Sequence, residues 1–191
     1  MRTLSKLALC ALALVPAPAL AQDTANSNRR IEMLGTSPVA CVTGNPSATN
    51  ATNATFSASG ATGGQVQIVE FVDPTTAAPL PSTINLALPV TCNASHELLI
   101  RSANGGLLRE GGSTSNRQRP DGFADFVTYS VSLQWAGQAL QGTSDAGTLA
   151  LNTADAMTGT ASLQIDTPSG GGPLTAGRFD DTLIIEFRPS N

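Results

Sequence analysis

The sequence predicts an all-β sandwich, and three observations lead to this fold class. Short apolar segments alternate with polar residues at a period of two, as expected for strands with one buried face. Gly, Pro and Asn turns separate these segments at even spacing, and no segment shows helical periodicity with caps. In the last strand, Leu183, Ile185 and Phe187 share one face. Such a strand is either paired on both sides or open on one side to another chain.

The start of the chain has the features of a secretory signal peptide. Residues 1–6 are basic, and the apolar run over residues 7–15 is too short to span a bilayer. A small-x-small pattern ends at Ala21, where we expect cleavage. We therefore expect an exported protein with an N-terminal extension over residues 22–38 and one domain over residues 39–191.

Composition excludes several partners. The formal net charge is -4 and only 13% of residues are charged, so the chain lacks the basic face that nucleic acid or an acidic membrane surface requires. After the signal peptide, no apolar run is long enough to cross a membrane. Low charge with many Thr, Ser, Gly and Ala is typical of secreted β-proteins.

The cysteines indicate one disulfide. Cys10 leaves with the signal peptide, and Cys41 and Cys92 remain as an even number in an exported protein. A bridge closing a loop of that length stabilises a fold by about 4 kcal/mol on the chain-entropy model. Two cysteines with one distant histidine, His96, do not match a zinc site, and no metal or other cofactor is expected.

The mature chain begins with a short alternating stretch. Ile31 and Met33 fall on one face, and residues 38–43 lead through the first cysteine. These pieces are expected to form the first strand, broken near residues 35–38, and a turn-rich loop should follow from residue 44.

Three glycosylation sequons begin at Asn50, Asn53 and Asn93. The signal peptide looks bacterial, and Asn-Ala-Thr is ordinary loop and strand-edge sequence. We therefore expect these asparagines to be structural rather than glycosylated.

Further strands follow along the chain. They are expected at residues 53–59, 65–72, 84–92, 96–102, 126–135, 148–151 and 158–165. The segment 126–135 has the strongest alternation, with one predicted core face that comprises Val127, Tyr129, Val131, Leu133 and Trp135. Residues 107–125 are rich in Gly, Ser, Asn and Arg and predict a mildly basic mobile loop.

No catalytic constellation is recognisable, so an enzyme is not expected. His96 lacks the oriented partners of a triad. Asp180 and Asp181 are neighbours on a strand and point to opposite faces, so they cannot act jointly on one substrate. We expect this pair to cap a turn or to meet Arg178.

Several segments together resemble the spore coat protein U domain family. Members end in a small-Gly-x-aromatic-x-Asp-Thr stretch before an alternating strand, and these places are taken here by Gly177, Phe179, Asp181 and Thr182. Cys41, Cys92 with its following strand and the strand around Tyr129 resemble the family's two cysteines and central tyrosine strand. The likeness spans residues 39–189.

The resemblance implies a subunit of an archaic chaperone–usher pilus. Its fold would be an incomplete immunoglobulin-like sandwich, completed by a strand from a periplasmic chaperone and later from the neighbouring subunit. Leu183, Ile185 and Phe187 would border the open groove, and Ile31 and Met33 would form the candidate donor strand. The protein would cross the periplasm to the cell surface and serve adhesion or biofilm formation.

Two other functions compete with the fibre or coat subunit. A stand-alone secreted binding module, for example for carbohydrate, requires a closed sandwich and an exposed aromatic cluster. An enzyme requires a catalytic constellation. Two alternatives to a polymerising fibre or coat subunit stay open. One is a tip or minor subunit, and the other is a secreted relative that completes its own sandwich.

Overall fold

The computed structural model describes residues 29–60, 63–119 and 122–190, so the predicted signal peptide lies outside the described residues. The described residues belong to two units, 29–36 and 37–190. In the first unit every described residue is exposed and none belongs to a strand. Over the described ranges, no helix is long and apolar enough to cross a membrane.

The second unit confirms the all-β prediction, with antiparallel pairing throughout its named strands. In chain order the strands are β1 (Cys41–Thr43), β2 (Ser47–Thr52), β3 (Ala54–Ala58), β4 (Gly64–Ile68), β5 (Ser82–Cys92), β6 (His96–Ser102), β7 (Leu107–Arg109), β8 (Phe126–Val127), β9 (Ser130–Trp135), β10 (Gln138–Thr143), β11 (Leu149–Thr153), β12 (Met157–Thr167), β13 (Phe179–Asp180) and β14 (Leu183–Pro189).

The larger sheet is built on β5 and β12, which are 11 residues each and pair along their whole length. Its order is β5-β12-β9-β10, and β1 and β2 pair with successive parts of the free side of β5. The edge breaks between β1 and β2 beside Pro89, whose carbonyl accepts from Gly44 N at 2.7 Å. Because proline has no N–H, Pro89 cannot donate the reciprocal hydrogen bond to the edge strand, and the regular pairing breaks there.

The opposite sheet has the order β11-β6-β14, and smaller pairings complete the unit. β7 pairs with β8 and β13, and β3 pairs with β4 as a separate hairpin. The core lies between the larger sheet and the β11-β6-β14 sheet. It includes Ile84, Leu86, Leu98, Ile100, Leu133 and Leu163, each no more than 5% exposed.

The predicted core face of residues 126–135 is confirmed. Val127, Tyr129, Val131, Leu133 and Trp135 are all buried. The segment is nevertheless two strands, β8 and β9, because it leaves regular pairing at residues 128–129. Phe126 is buried too, against simple alternation, and the Arg117 guanidinium lies 4.9 Å from the centroid of its ring.

Three expectations about strands are wrong. Residues 30–35 are not a strand; the first edge strand breaks at residues 44–46 instead of 35–38. The turn-rich stretch after residue 44 contains β2, whose residues are all exposed and therefore give no apolar alternation. β10 lacks a buried row and was not expected, although Gly137, with φ 75°, makes the turn into it.

Candidate functional site: the open edge of the last strand

The last strand is paired on one side only. Within the described residues β14 pairs with β6 and has no second strand neighbour. Ala103 N donates to Thr182 O at 2.9 Å, and Ser190 N donates to Ser95 O at 2.8 Å. Backbone groups alternate in direction along an antiparallel strand. The even positions therefore face β6, and the N–H and C=O groups of Leu183, Ile185 and Phe187 point to the open side.

A groove of about 1080 Å³ includes this open edge in its lining. Residues of β5, β12, β14 and the β3–β4 hairpin line it, and they are both apolar and polar. The apolar lining includes Phe56, Val66, Ile68, Ile84, Leu86, Leu88, Leu163, Ile165, Leu183, Ile185 and Phe187. Many of these side chains are only half-buried, so the core is incompletely covered along this groove.

The β14 side chains join the main core at their inner ends. Leu183, Ile185 and Phe187 pack against it, and the Phe187 ring meets Trp135 edge-on with centroids 5.6 Å apart. Two common protections of an edge are absent from residues 183–188, because Pro189 stands only at the last position of the strand and no lysine occurs in it. The structure thus brings the three predicted assembly residues together; their role in assembly stays a prediction.

A hydrogen-bonded cluster around Asp181 fixes the start of β14. The Asp181 carboxylate accepts from Ser102 Oγ, from Tyr129 Oη at 2.8 Å and from Asn104 N at 2.9 Å. It also accepts from Thr182 N at 2.8 Å. Of the two expected roles, capping a turn or meeting Arg178, Asp181 takes the first. Its carboxylate accepts from Asn104 N in the bend that follows β6, and it connects β14 to the end of β6 and to Tyr129.

The cluster makes the fold sensitive to alkaline pH. Burial, and then the hydrogen bond to Asp181, raise the pKa of Tyr129 well above its usual value near 10. Because Tyr129 ionises less readily in the folded protein, its contribution to stability is complete below the pKa that Tyr129 has in the unfolded chain. That contribution is lost as pH rises above about 10.

Tyr129→Phe is expected to cost about 1.5–3 kcal/mol at neutral pH, the range for a hydrogen bond to a charged group. The difference from the unchanged protein should shrink above pH 10. Because Tyr129 is the sole tyrosine, tyrosinate absorbance reports its ionisation directly. Urea unfolding at pH 7 and pH 10.5 tests this, and parallel losses of stability in both proteins would contradict it.

The other closing-motif residues support the neighbouring turn. Gly177 has φ +149°, a conformation that side chains rarely adopt, and lies close to the Arg109 side chain. Phe179, on β13, stacks edge-on against Phe71 with centroids 5.2 Å apart. These residues lie beside the polar end of the groove.

His96 is closer to the disulfide than the sequence analysis assumed. Cys41 and Cys92 are bonded, as predicted, across directly paired positions of β1 and β5. A His96 ring nitrogen and both sulfurs lie within 4.8 Å of one another, so the histidine is not distant. However, the sulfurs are committed to the bridge, while His96 Nε2 accepts from Trp135 Nε1 at 2.7 Å and Nδ1 lies 3.0 Å from Ala94 O. This donor set does not suit a metal ion.

The predicted mobile loop is partly ordered by its arginines. Arg109 Nε donates to Asp125 at 2.6 Å, and Arg117 donates to Asp145 at 2.7 Å. The bond from Arg109, followed by that from Asn116, lowers the pKa of Asp125 to about 2. These contacts hold the loop against the end of the sandwich that carries β7 and β8.

Asn53 fixes the base of the β3–β4 hairpin and was missed as a site residue. It adopts φ 55°; its Nδ2 donates to Glu70 O at 2.7 Å and to Pro81 O at 3.1 Å. Asn93 likewise binds Pro38 O at 2.8 Å and accepts from Ala40 N at 2.7 Å. Among non-glycine residues, asparagine adopts positive φ more readily than most, but the sequence does not show which asparagines do so.

The candidate donor residues lie in the first unit. Ile31 is 83% exposed and Met33 is 92% exposed, and the adjacent Leu34 is 95% exposed. Among the large apolar side chains of the described residues, these three are the most exposed. No strand pairing involves this segment.

Comparisons with known proteins give little. No family model matches the chain, and no curated protein matches it. A solved structure described as a chaperone–tip adhesin complex vital for synergistic activation of CFA/I fimbriae biogenesis has a chain that is 21% identical, with a TM-score of 0.34. The match covers 58% of this chain and 35% of that one. A likeness at this TM-score does not establish a shared fold.

Proposed function

We propose that the chain is a structural subunit of a bacterial surface fibre or coat, completed by a β-strand from another chain. A periplasmic chaperone would supply that strand first and a neighbouring subunit afterwards. The observation that carries this proposal is the open edge of β14, where the unpaired backbone of Leu183, Ile185 and Phe187 lies beside a partly apolar groove. An extended strand satisfies both features at once, through backbone hydrogen bonds and apolar pockets.

The position of the groove favours a peptide strand over a small ligand. Its volume of about 1080 Å³ lies near the upper end of the range of about 300–1,000 Å³ that is usual for small-molecule pockets. Its lining, however, includes the strand edge of β14, which offers backbone groups that a strand can pair with. The aromatic residues that a carbohydrate module would present, Tyr129 and Trp135, are only 6% and 3% exposed. These observations favour the subunit over the stand-alone binding module.

The disulfide is compatible with the export that this function requires. Disulfides persist in oxidising compartments such as the bacterial periplasm and the cell surface. The bridge between Cys41 and Cys92 holds β1 on β5 and so stabilises the large sheet without a partner chain. A subunit waiting for a donated strand needs such internal support, because part of its core is uncovered.

The test compares an apolar residue of the groove with an exposed apolar residue outside it. Ile185→Ser removes an apolar side chain from the groove and should weaken strand capture by about 10- to 100-fold, the equivalent of burying one such side chain. Val42→Ser is the control, since Val42 is 65% exposed and does not line the groove. Assembly is measured by light scattering of the full mature chain over a range of concentrations.

A closed monomer would contradict the proposal. In that case the full chain would stay monomeric at all concentrations, and the amides of Leu183, Ile185 and Phe187 would exchange slowly without any partner. Equal effects of the two serine variants on assembly would also count against the groove as the site.

A further inference from the structure

We propose that His96 forms an acid-sensitive contact at the end of β14, which comes apart when the buried ring gains a proton. In its neutral form the ring joins β6 to Trp135, and Trp135 in turn packs against Phe187 of β14. A protonated ring cannot make this connection, so acid loosens the end of β14 from residue 187 onwards. The contact belongs to a single chain and does not depend on the proposed function.

Both ring nitrogens of His96 have a partner that fixes their role. Nε2 lies 2.7 Å from Trp135 Nε1, and because an indole nitrogen can only donate, Nε2 must accept. Nδ1 lies 3.0 Å from Ala94 O, and because a carbonyl can only accept, Nδ1 must carry the proton. The fold therefore requires the neutral ring in this one tautomer. No ring nitrogen is left to take a second proton.

The surroundings of the ring do not favour a positive charge. His96 is only 1% exposed, and its ring centroid lies 5.9 Å from that of Trp135. The residues paired with it on β11 and β14 are Thr153 and Pro189, which carry no charge. The Thr153 hydroxyl has no hydrogen-bond partner among the described residues, so it does not bind the ring. Because burying an unpaired charge is costly, this site excludes the protonated form.

In the part of the chain that the structure describes, no charged group forms an ion pair with His96. Glu97 and Arg188 are paired at the adjacent positions of β6 and β14, so their side chains point to the opposite face of the sheet. Glu186 is bonded to Arg188 at 2.7 Å, and Asp155, in the bend after β11, is exposed. The strands that supply the disulfide and Trp135 are β1, β5 and β9, and they contain no charged residue.

The end of β14 contacts both rings of this pair. A proton on Nε2 would set two N–H groups against each other across the 2.7 Å contact with Trp135, so one of the two rings must move. The indole meets Phe187 edge-on, with centroids 5.6 Å apart, and Pro189 is the register partner of His96 itself. Separation of the two rings therefore disturbs this strand at both residues.

The contact makes stability depend on pH in a defined direction. A histidine in an unfolded chain has a pKa near 6.5, so below that pH the unfolded chain binds a proton that the folded ring excludes. The contribution to stability is therefore complete above about pH 6.5 and is lost as the pH falls. Between pH 7.5 and pH 5.5 the unfolding equilibrium constant should rise about tenfold from this site. The chain has a single histidine, and ordinary carboxyl groups titrate near pH 4, below this window.

Urea unfolding at these two pH values, followed by the fluorescence of Trp135, compares the unchanged mature chain with His96→Gln. The amide oxygen of glutamine can accept from Trp135 Nε1, but the amide does not gain a proton in this range. We expect the tenfold rise in the unchanged chain and a change of less than twofold in His96→Gln. The measured quantity is the pH dependence, so a uniform loss of stability in the variant leaves the comparison valid. The same rise in both proteins would overturn the proposal.

Nuclear magnetic resonance of the unchanged chain gives a second readout that needs no variant. The nitrogen chemical shifts of the ring should show the neutral Nδ1–H tautomer in the folded protein at both pH values. The protection of the Arg188 amide, corrected for intrinsic exchange, should fall about tenfold between pH 7.5 and pH 5.5, and that of Ile184, at the other end of β14, less than twofold. A protonated ring in the folded protein at pH 5.5 would overturn the acid-sensitive contact. Equal falls at the two amides would overturn the loosening at this end of β14.

Discussion

Replacing Cys41 and Cys92 together by alanine is expected to lower the free energy of unfolding by about 4 kcal/mol. The bridge spans a sequence separation of 51 residues, and the chain-entropy model gives that value for a loop of this size. The effect should be large because β1 is only three residues long and depends on the bridge for its place on β5. Urea unfolding followed by the fluorescence of Trp135, the single tryptophan, measures it.

Val42→Ala is the control for this experiment. Val42 lies on the same short strand but is 65% exposed, so its truncation should change the free energy of unfolding by less than about 0.5 kcal/mol. A double alanine variant whose stability stays within about 1 kcal/mol of the unchanged protein would show that the bridge does not stabilise the fold as the entropy model requires.

Alternation predicted those strands that bury one face in the core. The alternating positions Val131, Leu133 and Trp135 correctly indicated which face of β9 is buried. Ile84 and Leu86 did the same for β5. The pattern failed at β2, because an edge strand with both faces in water needs no apolar residue. It also placed a strand at Ile31 and Met33, where the structure shows no strand and both side chains are exposed.

The site was only partly predictable, because it depends on contacts between distant segments. The apolar row of β14 was visible in the sequence, and the even cysteine count gave the bridge. The cluster around Asp181 was not, since it joins Ser102 and Tyr129 from far along the chain. The same holds for the β3–β4 hairpin: Val66 and Ile68 alternate as strand residues do, but nothing local shows that they line the same groove as β14.

Introducing Ile31→Glu and Met33→Glu together is expected to abolish self-assembly while leaving export and folding intact. Ile31 is 83% and Met33 is 92% exposed, so replacing them should cost little of the folding free energy. In the groove of a neighbour, burial of the two would contribute about 3–6 kcal/mol, equivalent to a factor of about 10² to 10⁴ in the dissociation constant. Light scattering of the mature chain, with Glu32→Gln as the control on the opposite face, measures the loss.

Mixing experiments then distinguish donation to a neighbour from closure of the chain's own groove. The double glutamate variant still has an open acceptor groove, so small amounts added to the unchanged chain should be captured and stop further growth. Adding Ile185→Ser to that variant should remove the effect, because the chain then neither donates nor accepts. If Ile31 and Met33 instead close their own sheet, the double glutamate variant should lose resistance to urea as an isolated monomer. It would also be more prone to accept a strand than the unchanged chain, since its groove would have lost its occupant.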